Sequence, residues 1–380
     1  MRKRAVLVAN PSTDLYGADK MAIETVAALC ERGIEVVVTV PADGPLSDRV
    51  RELGARVVVL PVPVLRRGYL SAGGILRILR ESAVALPACV RLVRKVKPSV
   101  VYVNTVTIPI WVLAGRVAGR PVIGHVHELE AGVGRLVRLG LTGPLWAARK
   151  VIANSAATKD FLSAGSRRLA RRTVLIYNGV PGPPRPLKDL PASPSTPLGL
   201  LYVGRLSERK GTDVAIDALS LLVERGIPAT LELVGSVFPG NEAFEAALRD
   251  RVRDRGLSDA VTFAGFTDDV WGAYERADIV VVPSRLEPFG LVAVEAQLAV
   301  RPVVSSDAQG LVEAVAAGET GLVVPAGDPA ALADAVTGLV KDWPRAREMA
   351  QQGQERAVRL FSPDGYRAAI AELLTEGPQR

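Results

Sequence analysis

The sequence is poor in cysteine, histidine and aromatic side chains. Of its 380 residues, 2 are cysteines and 2 are histidines, and aromatic residues make up 5%. Cys30 and Cys89 both stand among apolar neighbours, so neither a disulfide framework nor a four-cysteine metal site can be built. We therefore expect a reducing, cytoplasmic setting. The scarcity of aromatic residues and the lack of a base-stacking motif argue against a nucleic-acid partner.

Long hydrophobic runs and two nucleotide-binding motifs are also absent. The longest uncharged run, residues 98–115, contains Pro98, Asn104 and Pro109, which favours a strand, a turn and a helix over a membrane span. The apolar stretch Ala5–Ala9 is shorter than the core of a signal peptide and is typical of a buried strand. Neither G-x-G-x-x-G nor the P-loop motif occurs, which argues against a dinucleotide fold and against a Walker-type phosphate site.

Short runs of Val, Ile and Leu alternate with longer amphipathic segments through most of the chain. Such runs are typical of strands that are buried on both faces of a parallel sheet. In the first half the pattern predicts strands at Ala5–Ala9, Glu35–Val40, Arg56–Leu60, Val100–Val103, Pro121–His125, Val151–Ala153 and Val174–Tyr177. In the second half it predicts strands at Leu200–Val203, Thr230–Val234, Val261–Ala264, Ile279–Val282, Pro302–Val304 and Gly321–Val324. Helical patterns lie between them, for example at Asp213–Arg225, Ala243–Arg255 and Ala330–Val340.

A segment without apolar periodicity separates the two halves. Residues 181–197 are rich in proline and serine, which is typical of a linker. We therefore predict an α/β protein with two doubly wound, Rossmann-like domains, residues 1–180 and residues 198–363, that face a cleft. The helical pattern at about residues 364–380 leaves open whether this segment returns to the first domain.

Two glutamates lie in a segment that follows a predicted strand and leads into a predicted helix. Glu287 and Glu295 have seven residues between them, and Gly290 would let the backbone approach a ligand closely. A helix N-terminus offers free N–H groups to phosphate or sugar oxygens, and a ribose diol would satisfy the lone acid at Glu295. An equally good interpretation is structural, with Glu287 as a helix cap and Glu295 paired with an arginine.

Three further sets of residues could bind a ligand. Arg205 and Lys210 flank a turn after a strand and would neutralise a diphosphate, although a solvated basic turn has the same pattern. Gly17 lies between the first strand and the next helix, where a glycine can contact phosphate. His125 and His127 fall on one face of a predicted strand. No third ligand accompanies them, so we favour a polar group in the cleft and a structural residue over a metal pair.

Together these residues resemble a known family. Glu287 and Glu295 form the motif E-x7-E, and Arg205 and Lys210 belong to a turn that reads Gly-Arg…Lys-Gly. The combination is similar to family 4 of the retaining glycosyltransferases, called glycosyl transferases group 1, and the similarity runs over nearly the whole chain. It implies the GT-B fold, in which two Rossmann-like domains face a cleft.

The resemblance also implies roles for particular residues. In this family the arginine and lysine bind the donor diphosphate, the second glutamate binds the ribose, and the first contacts the transferred sugar. The positions that carry these and related roles here are Arg205 and Lys210 with Gly17 for the diphosphate, Glu295 for the ribose, Glu287 and His127 as catalytic residues near the sugar, the backbone of Phe289, Gly290 and Leu291 near sugar and phosphate, and Gly265 and Phe266 near the base. The family usually has two adjacent glycines in its first loop, whereas this chain has Tyr16-Gly17.

The function implied is transfer of a sugar from a UDP- or GDP-sugar to an acceptor hydroxyl with retention of configuration. The product would be a cell-envelope polysaccharide, a glycolipid or another glycoconjugate. No Asp-x-Asp, the arrangement that metal-dependent sugar transferases commonly use, occurs in the chain, so we expect neither a metal nor a cofactor. Two alternatives stay open: a nucleotide-sugar 2-epimerase of the same fold, and a non-enzymatic two-domain sugar-binding protein.

The positive charge of the chain indicates an anionic partner. The formal net charge is +7 and the pI is about 9.6. Basic residues alternate with apolar ones in residues 65–97 and 132–150, and the second segment contains Trp146. Such segments can lie on an anionic membrane, or they can be helices with a solvated basic face. Our hypothesis is a cytoplasmic protein, or one at the inner face of the cell membrane, with a lipid-linked acceptor.

Overall fold

The chain forms two compact units. The computed structural model describes residues 4–15, 17–65, 72–128 and 135–376. The first unit comprises the chain up to Gly179 together with the segment from Pro363 onward, and the second unit comprises Val180–Ser362. The chain therefore passes between the units twice.

Strands and helices alternate in the first unit. Its elements are β1 (Ala5–Ala9), α1 (Gly17–Cys30), β2 (Glu35–Val40), α2 (Pro45–Glu52), β3 (Arg56–Val59), α3 (Ala72–Val96), β4 (Val100–Val103), α4 (Ile110–Val117), β5 (Val122–Val126), α5 (Arg135–Thr142), a 3₁₀ helix (Gly143–Ala147), β6 (Lys150–Ala153), α6 (Ala156–Gly165), α7 (Arg167–Arg172) and β7 (Thr173–Leu175). The strands form a parallel sheet in the order β3-β2-β1-β4-β5-β6-β7.

The second unit repeats this arrangement. Its elements are β8 (Leu198–Val203), a 3₁₀ turn (Glu208–Lys210), α8 (Thr212–Glu224), β9 (Ala229–Val234), α9 (Glu242–Asp254), β10 (Val261–Gly265), α10 (Val270–Arg276), β11 (Ile279–Val282), α11 (Leu291–Leu298), β12 (Val303–Ser306), α12 (Leu311–Ala314), β13 (Leu322–Val324), α13 (Pro329–Lys341) and α14 (Trp343–Leu360). The strand order is β10-β9-β8-β11-β12-β13, and all pairs are parallel. The last helix, α15 (Pro363–Thr375), belongs to the first unit.

Both faces of the first sheet are covered, which is why its central strands β1 and β4 are apolar throughout. Val6 and Val8 of β1 pack in one core cluster with Met21 of α1, whereas Leu7 packs on the opposite face with Trp111 of α4. Alternate side chains of a strand point to opposite faces, so each face needs its own layer of helices. The predicted fold class, α/β with two doubly wound parallel sheets, is confirmed, and predicted strand ends differ from the observed ones by at most two residues.

Side-chain caps define several helix starts. The Ser155 side chain accepts a hydrogen bond from the Thr158 amide at the start of α6. Asp328 accepts from the amides of Ala330 and Ala331 at the start of α13, where Pro329 occupies the first turn. Each cap satisfies an amide that has no partner inside the helix.

Residues 181–197 form neither a helix nor a strand, but they pack along the second unit. Leu190 is buried in its main core cluster. The Trp343 indole Nε1 donates to the Pro191 carbonyl at 3.0 Å, and Arg301 Nη2 donates to the Lys188 carbonyl at 2.8 Å. These isolated contacts have no periodicity, so the sequence pattern alone does not reveal them.

The structure describes each of the two basic segments only in part. Residues 66–71 and 132–134 lie outside the described part of the chain. Within it, α3 exposes the apolar side chains of Ile75, Leu76, Leu79 and Val84. No helix among the described residues is both long enough and apolar enough to span a membrane.

The helix α15 completes the core of the first unit. Tyr366 is 3% exposed, and its hydroxyl lies 2.7 Å from the Thr25 hydroxyl on α1. Ile370 and Leu374 join the same core cluster. At the surface, Arg367 forms ion pairs with Glu24 and Glu31.

We expect Tyr366→Ala to lower the free energy of unfolding of the first unit by about 3–5 kcal/mol, because a buried ring is lost. Tyr366→Phe keeps the ring and loses the hydroxyl, which should cost about 1 kcal/mol. Urea denaturation followed by circular dichroism measures both. Glu372→Ala, on the exposed face of the same helix, is the matched control and should change stability by less than about 0.5 kcal/mol. Equal stability of Tyr366→Ala and the control would contradict the packing of α15.

Candidate functional site

The strand order reverses at one point in each sheet. In the second unit, β8 and β11 are neighbours, and the chain leaves them toward opposite sides of the sheet. Ligands of open α/β sheets bind outside the carboxyl ends of such a strand pair. The loops that follow β8 and β11, residues 204–211 and 283–290, contain five of the residues singled out from the sequence: Arg205, Lys210, Glu287, Phe289 and Gly290.

Lys210 and Glu287 meet where these two loops come together. The Lys210 ammonium forms a partly buried ion pair with Glu287 Oε2. Ser284 Oγ lies 3.4 Å from the same oxygen, and the Glu287 amide donates to Gln309 Oε1 at 2.8 Å. An ammonium group has three N–H donors, so one ion pair leaves Lys210 able to donate to other acceptors.

A second ion pair joins the loop after β11 to the first turn of α8, directly after the other loop. Arg285 Nη1 and Nη2 donate to the two carboxylate oxygens of Asp213 at 2.8 and 2.7 Å. The Arg285 amide donates to the Arg209 carbonyl at 2.8 Å. Hydrogen bonding to Asp213 raises the pKa of Arg285. A bidentate pair of this kind restricts the orientation of both side chains.

Close backbone contacts bring Gly204 and Arg205 to the strand end. Gly235 has φ 137°, and a Cβ atom there would lie 1.9 Å from the Gly204 carbonyl oxygen, so only glycine fits. The Tyr202 hydroxyl donates to the Arg205 carbonyl at 2.8 Å. The Arg205 guanidinium lies over the Phe238 ring, 3.1 Å from its centroid, in a cation–π contact.

Glu295 is buried inside α11 and has a tyrosine partner. The Tyr274 hydroxyl donates to Glu295 Oε2 at 3.0 Å. Burial and the Glu295 charge raise the pKa of Tyr274 well above its usual value, so Tyr274 stays protonated and remains a donor. No local pattern indicates this tyrosine, because Tyr274 lies on α10, 21 residues before Glu295.

The helix α11 begins directly after Gly290. Gly290 has φ 102°, a left-handed conformation that favours glycine. Leu291 is the first residue of α11, so its amide is one of the N–H groups without a partner inside the helix. Phe289 is buried edge-on against Phe361, which leaves its backbone rather than its ring for a ligand.

The predicted base-binding residues lie at the end of β10. Gly265 has φ 71°, and its carbonyl accepts a hydrogen bond from the Gly235 amide at 2.7 Å. Phe266 is 69% exposed. An exposed aromatic ring beside a strand end can stack on a planar group.

In the first unit, the equivalent strand pair is β1 and β4, and a buried polar network follows it. Asp19 Oδ1 accepts from Asn10 Nδ2 at 2.8 Å and from Ser12 Oγ at 2.6 Å. Asn104 Nδ2 donates to Asn10 Oδ1 and to the Ala18 carbonyl, both at 2.9 Å. Since Asp19 and the carbonyl can only accept, both asparagine amides have one satisfactory orientation. Gly17 is the first residue of α1, next to this network.

The amide orientation determines where the protons of the two histidines lie. Asn104 Oδ1 faces the Tyr102 hydroxyl and His127 Nε2, both at 2.9 Å, so both must donate to it. Tyr102 therefore has no second proton for His125 Nδ1, 2.6 Å away, and His125 must donate through Nδ1. The result is an Nε2–H tautomer for His127 and an Nδ1–H tautomer for His125, whose rings lie 3.9 Å apart.

Both histidines are neutral at ordinary pH. Removal of the rings from water lowers the pKa of His127 to about 3 and lowers that of His125 well below its usual range. The unfolded chain takes up these protons first, so the free energy of unfolding falls as the pH drops from about 6.5 toward 3. Burial acts in the other direction on Glu128, whose pKa it raises while Thr105 and nearby amides donate to the carboxylate.

The structure brings together some of the predicted residues and adds others. The loop after β8 contains Arg205 and Lys210, and the loop after β11 contains Glu287 and Gly290. The first unit contains His127 and Gly17. The partners that were missed are Asn10 and Asn104, Tyr102, Tyr274, Asp213 with Arg285, and Gln309. Asn10 and Asn104 could have been found from the sequence, because each is a polar residue directly after an apolar strand. Among the described residues, no group of three His, Cys, Asp or Glu side chains could hold a metal ion.

Two family models match the chain. Residues 17–179 match the glycosyl transferase 4-like domain, and residues 187–356 match the glycosyl transferases group 1. The chain belongs to this family of glycosyltransferases. The family predicted from the E-x7-E motif together with the Gly-Arg…Lys-Gly turn is thereby confirmed.

Individual relatives support the assignment. Glycogen synthase of Mycobacterium tuberculosis is 32% identical over 265 residues, 67% of this chain and 62% of that protein. D-inositol 3-phosphate glycosyltransferase 1 of Catenulispora acidiphila is 27% identical over 385 residues, 95% of this chain and 90% of that protein. Anabaena HepE in complex with UDP and glucose superposes with a TM-score of 0.81 at 25% identity, over 98% of this chain and 99% of HepE. With several curated relatives, the match spans less than two thirds of their length.

Histidine NMR can test the deduced tautomers, because the chain has only 2 histidines. In protein labelled with ¹⁵N-histidine, we expect one Nε2–H ring and one Nδ1–H ring, both still neutral when the pH falls below 6.5, where a free imidazole takes up its proton. His127→Gln identifies which signal belongs to which residue. Asn104→Asp should disturb the Nε2–H signal, since a carboxylate replaces the oriented amide. Two rings of the same tautomer, or a ring that titrates near pH 6.5, would show that the proton assignment is wrong.

Proposed function

We propose that this protein transfers a sugar from a nucleoside diphosphate donor to an acceptor hydroxyl with retention of the anomeric configuration. The observation that carries the proposal is the ion pair between Lys210 and Glu287 at the carboxyl edge of the second sheet. The helix α11 begins a few residues after Glu287. A cation, a carboxylate and free helix amides suit a sugar diphosphate. HepE is also known in complex with UDP-glucose, which favours a UDP-sugar over a GDP-sugar as the donor.

The diphosphate would be held by positive groups. Lys210 keeps N–H donors beyond the one directed at Glu287, Arg205 supplies a permanent charge, and the first amides of α11 are unpaired within the helix. Negative charge accumulates on the diphosphate as its bond to the sugar breaks. Fixed donors of this kind stabilise that charge without a metal ion, so we propose that neither a metal nor a cofactor is needed.

The carboxylates would hold the hydroxyl groups of the donor. Glu295, kept in place by Tyr274, can accept hydrogen bonds from both hydroxyls of a ribose. Glu287 can accept from hydroxyls of the transferred sugar. We retain for Gly17 the diphosphate role, and for His127 the sugar role, that the family implies. Since His127 carries its proton on Nε2, its Nδ1 is left as an acceptor for a sugar hydroxyl.

In the proposed transfer, the bond between the anomeric carbon and the phosphate oxygen breaks, and its electron pair stays on the diphosphate. The acceptor oxygen forms the new bond on the same face of the sugar. Its proton passes to an oxygen of the leaving phosphate, so charges and atoms balance. Glu287 orients the sugar and forms no covalent intermediate.

The acceptor is proposed to be a hydroxyl of a lipid-linked molecule or another cell-envelope glycoconjugate. Basic segments at residues 65–97 and 132–150 favour a peripheral contact with an anionic membrane. The site of action would then be the cytoplasm or the inner face of the cell membrane.

Lys210→Ala should lower kcat by about 100-fold or more, because one charge that stabilises the leaving diphosphate is removed. Release of nucleoside diphosphate from a panel of UDP- and GDP-sugars, with candidate acceptors, is the measurement. Arg225→Ala removes a positive charge at the far end of α8, where Arg225 pairs with Asp334, and should leave the rate unchanged. If Lys210→Ala keeps activity within a few-fold of the wild type, the diphosphate assignment is wrong.

The stereochemical outcome separates the proposal from its alternatives. Proton NMR of the product should show the anomeric configuration of the donor, and nucleoside diphosphate should be released only when an acceptor is added. An inverted product would exclude front-face transfer. Conversion of the donor to its 2-epimer without an acceptor would indicate an epimerase instead.

A further inference from the structure

A pocket lined by arginines lies in the first unit, away from the predicted site residues. Its volume is about 550 Å³, and its lining includes the residues that directly precede β5 and β6, such as Arg149. Because the strands are parallel, their starts lie at the opposite edge of the sheet from Asn104 and His127. Five arginines line the pocket: Arg116, Arg120, Arg149, Arg168 and Arg172.

Three of the five arginines in this pocket have no carboxylate partner among the described residues. None of its lining residues is acidic. In the described part of the chain, no ion pair is formed by Arg116, Arg120 or Arg168. Arg172 Nη1 donates to two backbone carbonyls, those of Trp146 and Ala148, at 3.3 and 2.8 Å. These bonds orient a guanidinium without neutralising it.

Arginine clusters of this kind suit phosphate. The guanidinium group is always charged, and its planar fork donates two parallel hydrogen bonds to phosphate oxygens. Like charges held close together repel, and an anion of high charge density removes that repulsion. A pocket whose lining contains no carboxylate therefore suits a ligand with one or more phosphate groups.

Exposed apolar side chains lie on the same two helices as some of the pocket residues. Leu113 and Val117 are one turn apart on α4 and are each 50% exposed, and Arg116 lies beside them on the same helix. Trp146, in the 3₁₀ helix that leads into the pocket, is 40% exposed. Exposed apolar and tryptophan side chains next to cations are typical of surfaces that enter the headgroup region of a membrane.

We propose that the arginine pocket is a phosphate-binding site, with the exposed apolar side chains on these helices favouring the phosphate of an anionic lipid headgroup as the ligand. The choice of a lipid headgroup rests on the membrane contact in the proposed function, and it assigns that contact to this pocket. Residues 132–150 contribute only Arg149 and its neighbours to the pocket, and the other arginines come from α4, the turn after it and α7. The binding surface is thus assembled by the fold and is not a continuous basic segment.

The test uses the full chain and a triple variant, R116Q/R120Q/R168Q, which removes three charges without breaking an ion pair among the described residues. Its binding to vesicles of phosphatidylcholine and phosphatidylglycerol should weaken on the order of 100-fold relative to wild type. The matched control R32Q/R56Q/R347Q removes three exposed arginines elsewhere and should bind nearly as the wild type does. Equal binding by the triple variant and the control would overturn the pocket assignment.

Two further arms distinguish the source of the phosphate. Inorganic pyrophosphate, titrated by calorimetry, should bind the wild type and not the triple variant. L113S/V117S should lose vesicle binding and keep pyrophosphate binding if the ligand is a lipid, whereas unchanged vesicle binding by this variant would assign a soluble phosphate compound. If the wild-type protein binds neither pyrophosphate nor anionic vesicles, the proposal is wrong. Thermal stabilisation by UDP, measured on the same proteins, reports on the donor site separately.

Discussion

Parallel pairing of one central strand with a neighbour on each side is the constraint on which the rest of the structure depends. In the first unit β1 lies between β2 and β4, and in the second β8 lies between β9 and β11. The chain must cross over in opposite directions to reach those neighbours, so polar backbone and side chains gather at the carboxyl ends of the central pair. This is where Asn10 and Asn104 lie in one unit, and Lys210 and Glu287 in the other.

At the first of these places, one charged group directs a chain of hydrogen bonds. Asp19 accepts from Asn10, Asn10 accepts from Asn104, and Asn104 accepts from Tyr102 and His127. Each link fixes the direction of the next, because leaving a buried donor or acceptor unsatisfied costs about 1–3 kcal/mol. The proton on His127 is therefore determined by a carboxylate that does not touch it. At the second place the Arg285–Asp213 pair has the corresponding function, since it joins the loop after β11 to the start of α8.

The fold could be predicted from the sequence because buried parallel strands are locally apolar; β1, β2, β4 and β11 were predicted with the observed bounds. The site could be predicted only in part. Lys210 and Glu287 are 77 residues apart, and Asn10 and Asn104 are 94 apart, so no local pattern shows that they meet. The family resemblance indicated which second-unit residues belong together, but gave no indication of the Asn104 network. The segment 181–197 has a linker composition, yet single contacts such as Leu190 and Trp343 hold it to the second unit.

The return of α15 to the first unit has a consequence for the order of folding during synthesis. Tyr366, Ile370 and Leu374 fill the same core as β1, so that core is incomplete until the ribosome has released more than 360 residues. All of Val180–Ser362 emerges earlier and forms a continuous unit. Domains usually fold in the order in which they are made. Here the second unit can be finished before the first, and the nascent chain exposes an unfilled apolar groove along α1 throughout that interval.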